Sequence, residues 1–246
     1  MNEIIYGIHS VESVLKVDPF RFLKVYFIEN IYNNRLRILM RILKERGVIV
    51  QLVTKKQLNN MVNYGIHQGV VALVKKKIFF EKEIIPVLVK KPVVFFLILD
   101  GITDSHNLGS CLRSANAAGV DAVIVPKHRT AKLNSIAKKA ASGAAELIPL
   151  VRVRNLINTL RMLKKHNIWI IGTSSKIGRS LYKSSVIGSL ALIMGSEDKG
   201  IRYLTYKYCD EIINIPMIGT ISSLNVSVAT GICLFEFIKK NQFSIQ

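Results

Sequence analysis

Apolar positions along the chain form two patterns that alternate from one end to the other. Short unbroken apolar runs, typical of strands covered on both faces, stand beside stretches whose apolar side chains recur every three or four residues, typical of helices. In the first part, 22–28 and 48–53 are predicted as strands, and 34–46 is predicted as a helix that ends at Gly47. With a further apolar run at 69–74, these elements predict a small α/β unit.

The same alternation becomes more regular further along the chain. The predicted strands are 93–99, 122–125, 168–172, 190–194 and 211–215. The predicted helices are 107–118, 133–141, 155–166, 203–208 and 223–240. Strands and helices in alternation, with apolar strands, predict an α/β fold with a mostly parallel sheet and helices on both faces. Such a sheet binds ligands beyond the carboxyl ends of its strands.

A run of charged residues separates the two patterned regions. Lysines at 75–77 and 90–91 flank alternating Glu and Lys at 81–83, which makes this the densest run of charge in the chain. We therefore predict a linker at 76–92. It leaves a small N-terminal domain at 1–75 and a larger domain at 93–246.

Composition adds a constraint on the partner. The 246 residues include 35 Lys and Arg against 16 Asp and Glu, which gives a formal net charge of +19, and half of the residues are hydrophobic. A disordered basic tail is excluded, because disorder requires low hydrophobicity together with high charge. The charge must lie on the surface of a packed protein, where it favours a polyanion or an anionic membrane surface as partner.

Membrane insertion and secretion are not expected. The apolar run at 93–99 stops at Asp100, well short of the roughly 18 residues that a spanning helix needs, and Glu3 stands where a signal peptide would be basic. We therefore expect a cytosolic protein. No His, Cys or carboxylate cluster has metal-ligand spacing, so no metal is expected. Three widely separated cysteines are predicted as reduced core thiols: Cys111, Cys209 and Cys233.

Three segments after strand ends carry the candidate chemistry. The first reads DGITDSHNLGSCLRSA from Asp100. Asn107 is predicted as a helix N-cap that leaves free backbone amides near a docking anion, and Arg113, six residues later, offers a planar fork to phosphate. The alternative is a capping Asn with an ordinary surface Arg. His106 is interpreted as a turn histidine.

The second segment, ALIMGSEDKGI, passes from a strand into a turn with glycines. Gly195 allows close backbone approach to a ligand, and Glu197 supplies a carboxylate beside it. Taken alone, the segment is also compatible with an ordinary turn. The chain contains no GxGxxG series, so the usual dinucleotide fingerprint is absent.

The third segment runs from Ile215 through IPMIGTISSLNVSVATGICLF. Its small and polar residues exceed what one helix cap needs, and their short side chains allow close packing against another element or a ligand. They are Ser222, Ser223, Asn225 and Ser227. The alternative is a well-capped helix.

Together, in order and spacing, the three segments resemble the three motifs of the SpoU/TrmH family of RNA ribose 2′-O-methyltransferases. The similarity is greatest to members that methylate a guanosine ribose in 23S ribosomal RNA, and it covers nearly the whole chain. It includes IYGIH from Ile5 and HQGV from His67 in the N-terminal domain. In the C-terminal part it includes KKAASGAAE from Lys138 and IWIIGT from Ile168.

This resemblance implies a C-terminal α/β domain tied in a trefoil knot, preceded by an RNA substrate-binding domain. It implies S-adenosyl-L-methionine as cofactor, a homodimer, and 23S ribosomal RNA as partner. The residues implied around the cofactor are Thr173, Gly195, Ile215, Met217 and Leu224. The implied catalytic set is Arg113, with Asn107, Glu197, Ser223 and Asn225 shaping the pocket.

The role of Arg113 has two interpretations. As a base it would have to lose the proton that a guanidinium normally keeps; as a charged group it would bind a substrate phosphate and stabilise the developing alkoxide. The sequence departs from the family pattern at Ser105, where relatives often have proline. It also departs at Asp198 and Lys199, which we expect to stiffen or redirect the turn after Gly195.

Two alternative functions remain at this point. One is methylation of tRNA by a relative with the same motifs, which the N-terminal domain disfavours. The other is a catalytically silent RNA-binding or ribosome-assembly factor on the same scaffold, which the complete motif set disfavours. A face of small residues on the last helix suits close packing in the expected homodimer: Ser223, Ser227 and Gly231.

Overall fold

The computed structural model describes residues 2–196 and 198–241, which form two compact units. The first contains residues 2–78 and 142–147, and the second contains the described residues of 79–141 and 148–241. The strands are β1 Asn2–Tyr6, β2 Phe22–Ile28, β3 Val50–Val53, β4 Val70–Lys75, β5 Phe95–Asp100, β6 Ala122–Pro126, β7 Leu150–Val153, β8 Trp169–Thr173, β9 Arg179–Ser180, β10 Leu190–Gly195 and β11 Glu211–Asn214. The helices are α1 Ile8–Val17, α2 Asn34–Glu45, α3 Lys55–Met61, α4 Glu81–Leu88, α5 Ser105–Ala117, α6 Ser135–Ala141, α7 Ala144–Leu147, α8 Leu156–Lys165, α9 Tyr203–Tyr206 and α10 Val226–Asn241.

The first unit is a four-stranded sheet in the order β1-β4-β2-β3. Strand β4 is antiparallel to both β1 and β2, whereas β2 and β3 are parallel. Apolar side chains of α1 and α2 form the main core with the sheet, and Leu58 of α3 packs in a smaller cluster with Val53 and Val71. The short helix α7 belongs to this unit, where Glu146 pairs with the buried Arg21 at 3.0 Å.

The second unit is a seven-stranded sheet in the order β7-β6-β5-β10-β8-β11-β9, and every recorded pairing is parallel. Strand β10 lies between β5 and β8, so the carboxyl ends of strands distant in sequence meet at one edge. All six residues of β5 are buried, as expected of a strand covered on both faces. The predicted α/β class, with a parallel sheet and a small N-terminal domain, is confirmed; the trefoil knot stays a prediction.

Several short elements of the structure were not predicted from the sequence. Strands β1 and β7 have only five and four residues, too few for a clear alternation. Helix α4 lies inside the segment predicted as a linker, and its Ile85 is fully buried in the core of the second unit. The charged residues in its first turn made the segment resemble a linker, so the apolar face of the helix was not predicted. The domain borders stay a prediction; the N-terminal stretch of the first compact unit ends at residue 78, and residues 142–147 also belong to that unit.

Helix starts also differ from the prediction. Helix α5 begins at Ser105, because Asp104 is its N-cap, and α10 begins at Val226 instead of residue 223.

None of the helices searched within residues 2–196 and 198–241 has the length and hydrophobicity of a membrane span.

Candidate functional site

A cavity of about 490 Å³ opens at the carboxyl ends of β8, β10 and β11. Its volume falls in the range of sites for small molecules and cofactors. Its walls come from the loop after β8, the turn after β10, the segment after β11 and the start of α10. This is the edge where a parallel sheet is expected to bind its ligand.

All five residues predicted around the cofactor line this one cavity: Thr173, Gly195, Ile215, Met217 and Leu224. Ser223 of the predicted catalytic set lines it as well. These residues come from three separate segments of the chain. Their convergence supports a common ligand, while each residue's contact with a cofactor stays a prediction.

The turn after β10 brings backbone close to the cavity. Ser196 and Gly200 exchange two backbone hydrogen bonds, of 3.1 and 2.8 Å, which close the turn. A methyl group on Gly195 would overlap the backbone of Gly200 and Ile201, so only glycine fits there. Asp198 and Lys199, where this turn departs from the family pattern, both line the cavity. Glu197, predicted to act in this turn, lies outside the described residues.

The loop after β8 was missed as a cavity wall, apart from Thr173. Ser174, Ser175, Lys176 and Ile177 all line the cavity. The Ser174 hydroxyl accepts the amides of Lys176 and Ile177 at 3.2 and 3.3 Å, so the loop turns sharply at its start. A pair of serines directly after an apolar strand is the signal that could have predicted this turn.

Asn107 does not cap its helix, contrary to the sequence-based expectation. The Asp104 carboxylate accepts the amides of His106 and Asn107 at 3.0 and 3.3 Å. These amides are therefore occupied and do not form the predicted anion site. His106 is exposed in the first turn of α5, whereas Asn107 is buried.

The buried Asn107 side chain instead joins the first motif to the third. Its Oδ1 accepts a hydrogen bond from Asn225 Nδ2 at 3.0 Å. Asn225 also caps α10, because its Oδ1 accepts the Ser227 amide at 2.9 Å. The Asn225 side chain thus contributes to positioning the start of α10 relative to α5.

Arg113 lies on α5 and is exposed. It does not line the cavity, and neither do Asn107 and Asn225. The structure therefore divides the predicted set into a cavity-lining group and a group on or beside α5.

Gly109 lets α5 approach α6 closely, because a side chain there would overlap the Ala137 carbonyl oxygen.

A buried carboxylate that sequence analysis did not assign connects the first and second motifs. Asp100, fully buried at the end of β5, accepts the Arg202 amide at 3.2 Å, and Arg202 Nε lies 3.5 Å from its other oxygen. An acidic residue at the end of a wholly apolar strand is the sequence signal that could have predicted this buried carboxylate. The contact holds the turn after β10 beside the loop that leads into α5.

The three cysteines are free thiols, as predicted. Cys233 lines the cavity, but burial raises its pKa to about 12. The pKa of Cys209 is also raised to about 12, chiefly by burial. Protonated thiols are poor nucleophiles, so the cavity does not offer a reactive cysteine. Within the described parts of the chain, no group of three or more His, Cys, Asp and Glu residues could hold a metal.

Comparisons with known proteins give a consistent result. Residues 94–235 match the model of the SpoU rRNA methylase family, and residues 4–80 match the model described as RNA 2′-O ribose methyltransferase substrate binding. The chain is 51% identical over 241 residues to the 23S rRNA (guanosine-2′-O-)-methyltransferase RlmB of Yersinia pestis, covering 98% of both proteins. It is also 51% identical to RlmB of Escherichia coli K12, over 98% of this chain and 99% of that protein.

Solved structures share the fold. The SpoU methyltransferase AviRb from Streptomyces viridochromogenes, in complex with the cofactor AdoMet, has a TM-score of 0.80 at 19% identity, covering 97% of this chain and 90% of AviRb. The AdoMet-bound rRNA methyltransferase from Sinorhizobium meliloti has a TM-score of 0.78 at 22% identity, covering 97% of this chain and 87% of that one.

Proposed function

Because this chain belongs to the SpoU rRNA methylase family, we propose that it transfers the methyl group of S-adenosyl-L-methionine to the ribose 2′-hydroxyl of a guanosine in 23S ribosomal RNA. Relatives named for this reaction are half identical to it over 98% of the chain. The observation that carries the proposal is the single cavity in which all five predicted cofactor residues converge.

The residues of the cavity suit the cofactor. Backbone groups around Gly195, Ile215 and Met217 can bind its polar parts, and the apolar side chains of Ile213 and Leu224 can cover a purine ring. Asp198 adds a carboxylate to the cavity wall, which would favour a positively charged ligand. When bound, S-adenosyl-L-methionine supplies a methyl group activated by its sulfonium.

Arg113 acts on the RNA side of the reaction. A ribose hydroxyl must lose its proton as it attacks, so the site must stabilise the developing oxyanion. Arg113 is exposed, and no ion pair with a carboxylate is recorded for it within 2–196 and 198–241. We assign it the charged role: it binds a substrate phosphate and stabilises the alkoxide, as a guanidinium that keeps its proton.

The other predicted residues position these groups. Asn107 and Asn225 connect α5, which carries Arg113, to α10, whose preceding segment lines the cavity. Ser223 lies at the cavity wall, where its hydroxyl can hydrogen-bond the cofactor or the ribose. Glu197 is proposed to contribute a carboxylate beside the same turn. The N-terminal unit, most of which falls in the substrate-binding match at 4–80, is proposed to hold folded RNA.

The protein is further proposed to act as a homodimer in the cytoplasm, where ribosomal RNA is available. Two of the three small residues predicted for the dimer make contacts within the chain: the Ser227 hydroxyl donates to Asn225, and Gly231 lies close to Ser114 of α5. Support comes instead from Val228 and Phe235, which are seven residues apart on one face of α10 and about half exposed. A light-scattering mass near 27.6 kDa at micromolar concentration would contradict the dimer.

Transfer of tritium from labelled S-adenosyl-L-methionine to a naked 23S transcript tests the function. We expect incorporation into one guanosine, mapped as a 2′-O-methyl group, and much less with Arg113→Ala. Cofactor binding without transfer to any RNA would support a silent RNA-binding factor instead. Transfer to tRNA transcripts alone would support the tRNA alternative.

A further inference from the structure

The second unit contains another cleft, of about 430 Å³, outside the cofactor cavity. It lies beyond the carboxyl ends of β6 and β7 and reaches α9. Three arginines and one histidine line it together with apolar side chains, and among the described residues of the chain no Asp or Glu lines it. The members used in the argument are His128, Arg129, Arg154, Arg202, Tyr203 and Leu204.

The arginines provide positive charge that the surrounding structure leaves largely uncompensated. Arg202 is paired with the buried Asp100, but no ion pair with a carboxylate is recorded for Arg129 or Arg154 in the described part of the chain. A guanidinium offers paired donors that match the geometry of a phosphate. The cleft therefore favours a ligand that carries phosphate groups.

The apolar side chains add a second kind of contact. Tyr203 is 70% exposed and Leu204 is 60% exposed, although both are large and belong to the same short helix. Lys207 lies over the Tyr203 ring, 4.6 Å from its centroid, which adds a further cation beside it. Exposed aromatic rings next to cationic side chains are typical of surfaces on which single-stranded bases stack.

The loop that carries Arg129 is held in place before any ligand binds. The Lys127 amide donates to the Val153 carbonyl, and the Ala131 amide donates to the Ile102 carbonyl, both at 2.8 Å. Arg129 itself has φ of 56°, a left-handed conformation that is costly for a residue with a side chain. Because the backbone of this loop is already fixed, binding a ligand to the Arg129 guanidinium costs little conformational entropy of the loop.

The cleft and the cofactor cavity are connected by consecutive residues of the chain. Ile201 lines the cofactor cavity and Arg202, the next residue, lines the cleft. Asp100 holds Arg202 at the start of the loop that leads to α5. A ligand in the cleft would thus contact the turn that also forms the cofactor site.

We propose that this cleft binds a nucleotide of the substrate RNA other than the one that is methylated, with its base against Tyr203 and Leu204 and its phosphates on Arg129 and Arg154. This inference rests on the proposed function, because that function supplies the RNA. It adds a specific RNA subsite on the C-terminal unit to the RNA binding proposed for the N-terminal unit.

The test compares a double variant, Arg129→Asn with Arg154→Gln, with a control in which two exposed lysines outside the cleft, Lys165 and Lys183, are changed to alanine. Asn is chosen at 129 because it tolerates a left-handed backbone. Both variants lose two positive charges. Affinity for a 23S transcript is measured at several salt concentrations, together with KM and kcat for methyl transfer and the calorimetric affinity for S-adenosyl-L-methionine.

We expect the cleft variant to bind RNA more weakly, by about tenfold or more. The slope of log K for RNA against log salt concentration should become less steep by about 0.7–0.9 for each lost phosphate contact. KM for RNA should rise while kcat and cofactor affinity stay within about twofold. Arg129→Lys with Arg154→Lys should recover part of the affinity because the charge is kept. Tyr203→Ala should weaken binding roughly tenfold and Tyr203→Phe should not, since stacking needs only the ring.

Equal RNA affinity and KM in the cleft variant and the lysine control would overturn the cleft proposal while leaving the methyltransferase function intact. If the unaltered protein methylates no RNA but the cleft variant still loses RNA affinity relative to the control, the proposed function fails and only the RNA-binding part of the cleft proposal stands. Unchanged binding to naked RNA with weaker binding to assembled ribosomal particles would also overturn it, in favour of an acidic protein partner.

Discussion

Asn225 Nδ2 donates a hydrogen bond of 3.0 Å to the buried Oδ1 of Asn107, across 118 positions of sequence. The contact connects the first turn of α5 to the cap of α10. The amide pair therefore helps to fix the relative position of the first and third motifs, together with the packing of α10 on α5 and the Cys111–Thr230 contact at 3.5 Å. Both residues were predicted to shape the pocket, and the structure shows that they contact each other.

Replacing Asn225 with alanine removes both the cap of α10 and this bond. We expect the free energy of unfolding to fall by about 1–3 kcal/mol, from a lost cap and a lost hydrogen bond to a buried amide, and methyl transfer to fall at least tenfold. Urea unfolding and a transfer assay measure the two effects. Asn225→Asp keeps a capping oxygen but loses the donor, so it should retain more stability than activity. Equal activity in the Asp variant and the unaltered protein would contradict the positioning role.

Arg113→Ala should reduce the kcat of methyl transfer by about a hundredfold or more, the usual cost of removing a group that stabilises an oxyanion. Affinity for S-adenosyl-L-methionine should not change, because Arg113 does not line the cavity. Arg113→Lys keeps the charge but loses the planar fork and should retain part of the activity. Near-normal turnover in a folded Ala variant would exclude both roles considered for this residue.

Gly195→Ala should abolish tight cofactor binding, because the added methyl overlaps the backbone of Gly200 and Ile201. The turn must move, at a cost of about 1–3 kcal/mol typical of overpacking, and cofactor affinity measured by calorimetry should fall more than tenfold. Gly219→Ala is the matched control, since nothing lies within 4 Å of the added atom. Equal affinities in the two variants would show that the turn adapts without cost.

The stability of the first unit should decrease below neutral pH because of His67. Its Nδ1 accepts the Gly69 amide at 3.0 Å, its Nε2 lies 3.0 Å from Asn59 Oδ1, and burial, with a smaller effect of Lys55, lowers its pKa. The unfolded chain binds a proton near pH 6.5, whereas the folded chain binds it only at lower pH. The stabilising contribution is therefore complete above about pH 6.5 and is lost as the pH falls toward the folded pKa.

Urea unfolding of the unaltered protein and of His67→Gln, each at pH 7.5 and pH 5.5, checks this expectation. The unaltered protein should lose more stability between the two pH values than the variant, whose side chain does not titrate. An equal loss in both proteins would assign the pH dependence to other groups.

Local patterns predicted much of the second unit correctly. Strand β5 is a continuous apolar run, and α8 repeats its apolar side chains at helical spacing, so short-range periodicity is enough to identify them. Helix α4 was missed because its charged residues mask a small apolar face. The cap of α5 was misassigned because Asp104 and Asn107 are both good capping residues and only the backbone conformation distinguishes them.

By itself, the sequence determined the alternation of strands and helices, the excess of positive charge and the three motifs with their residue types, because each depends on neighbours in the chain. The tertiary structure decided that β10 lies between β5 and β8, that Asn225 contacts Asn107, that Asp100 holds Arg202, and that Arg129 and Arg154 share a cleft. These relations join residues up to 118 positions apart. They follow from strand order and packing, which no local pattern encodes.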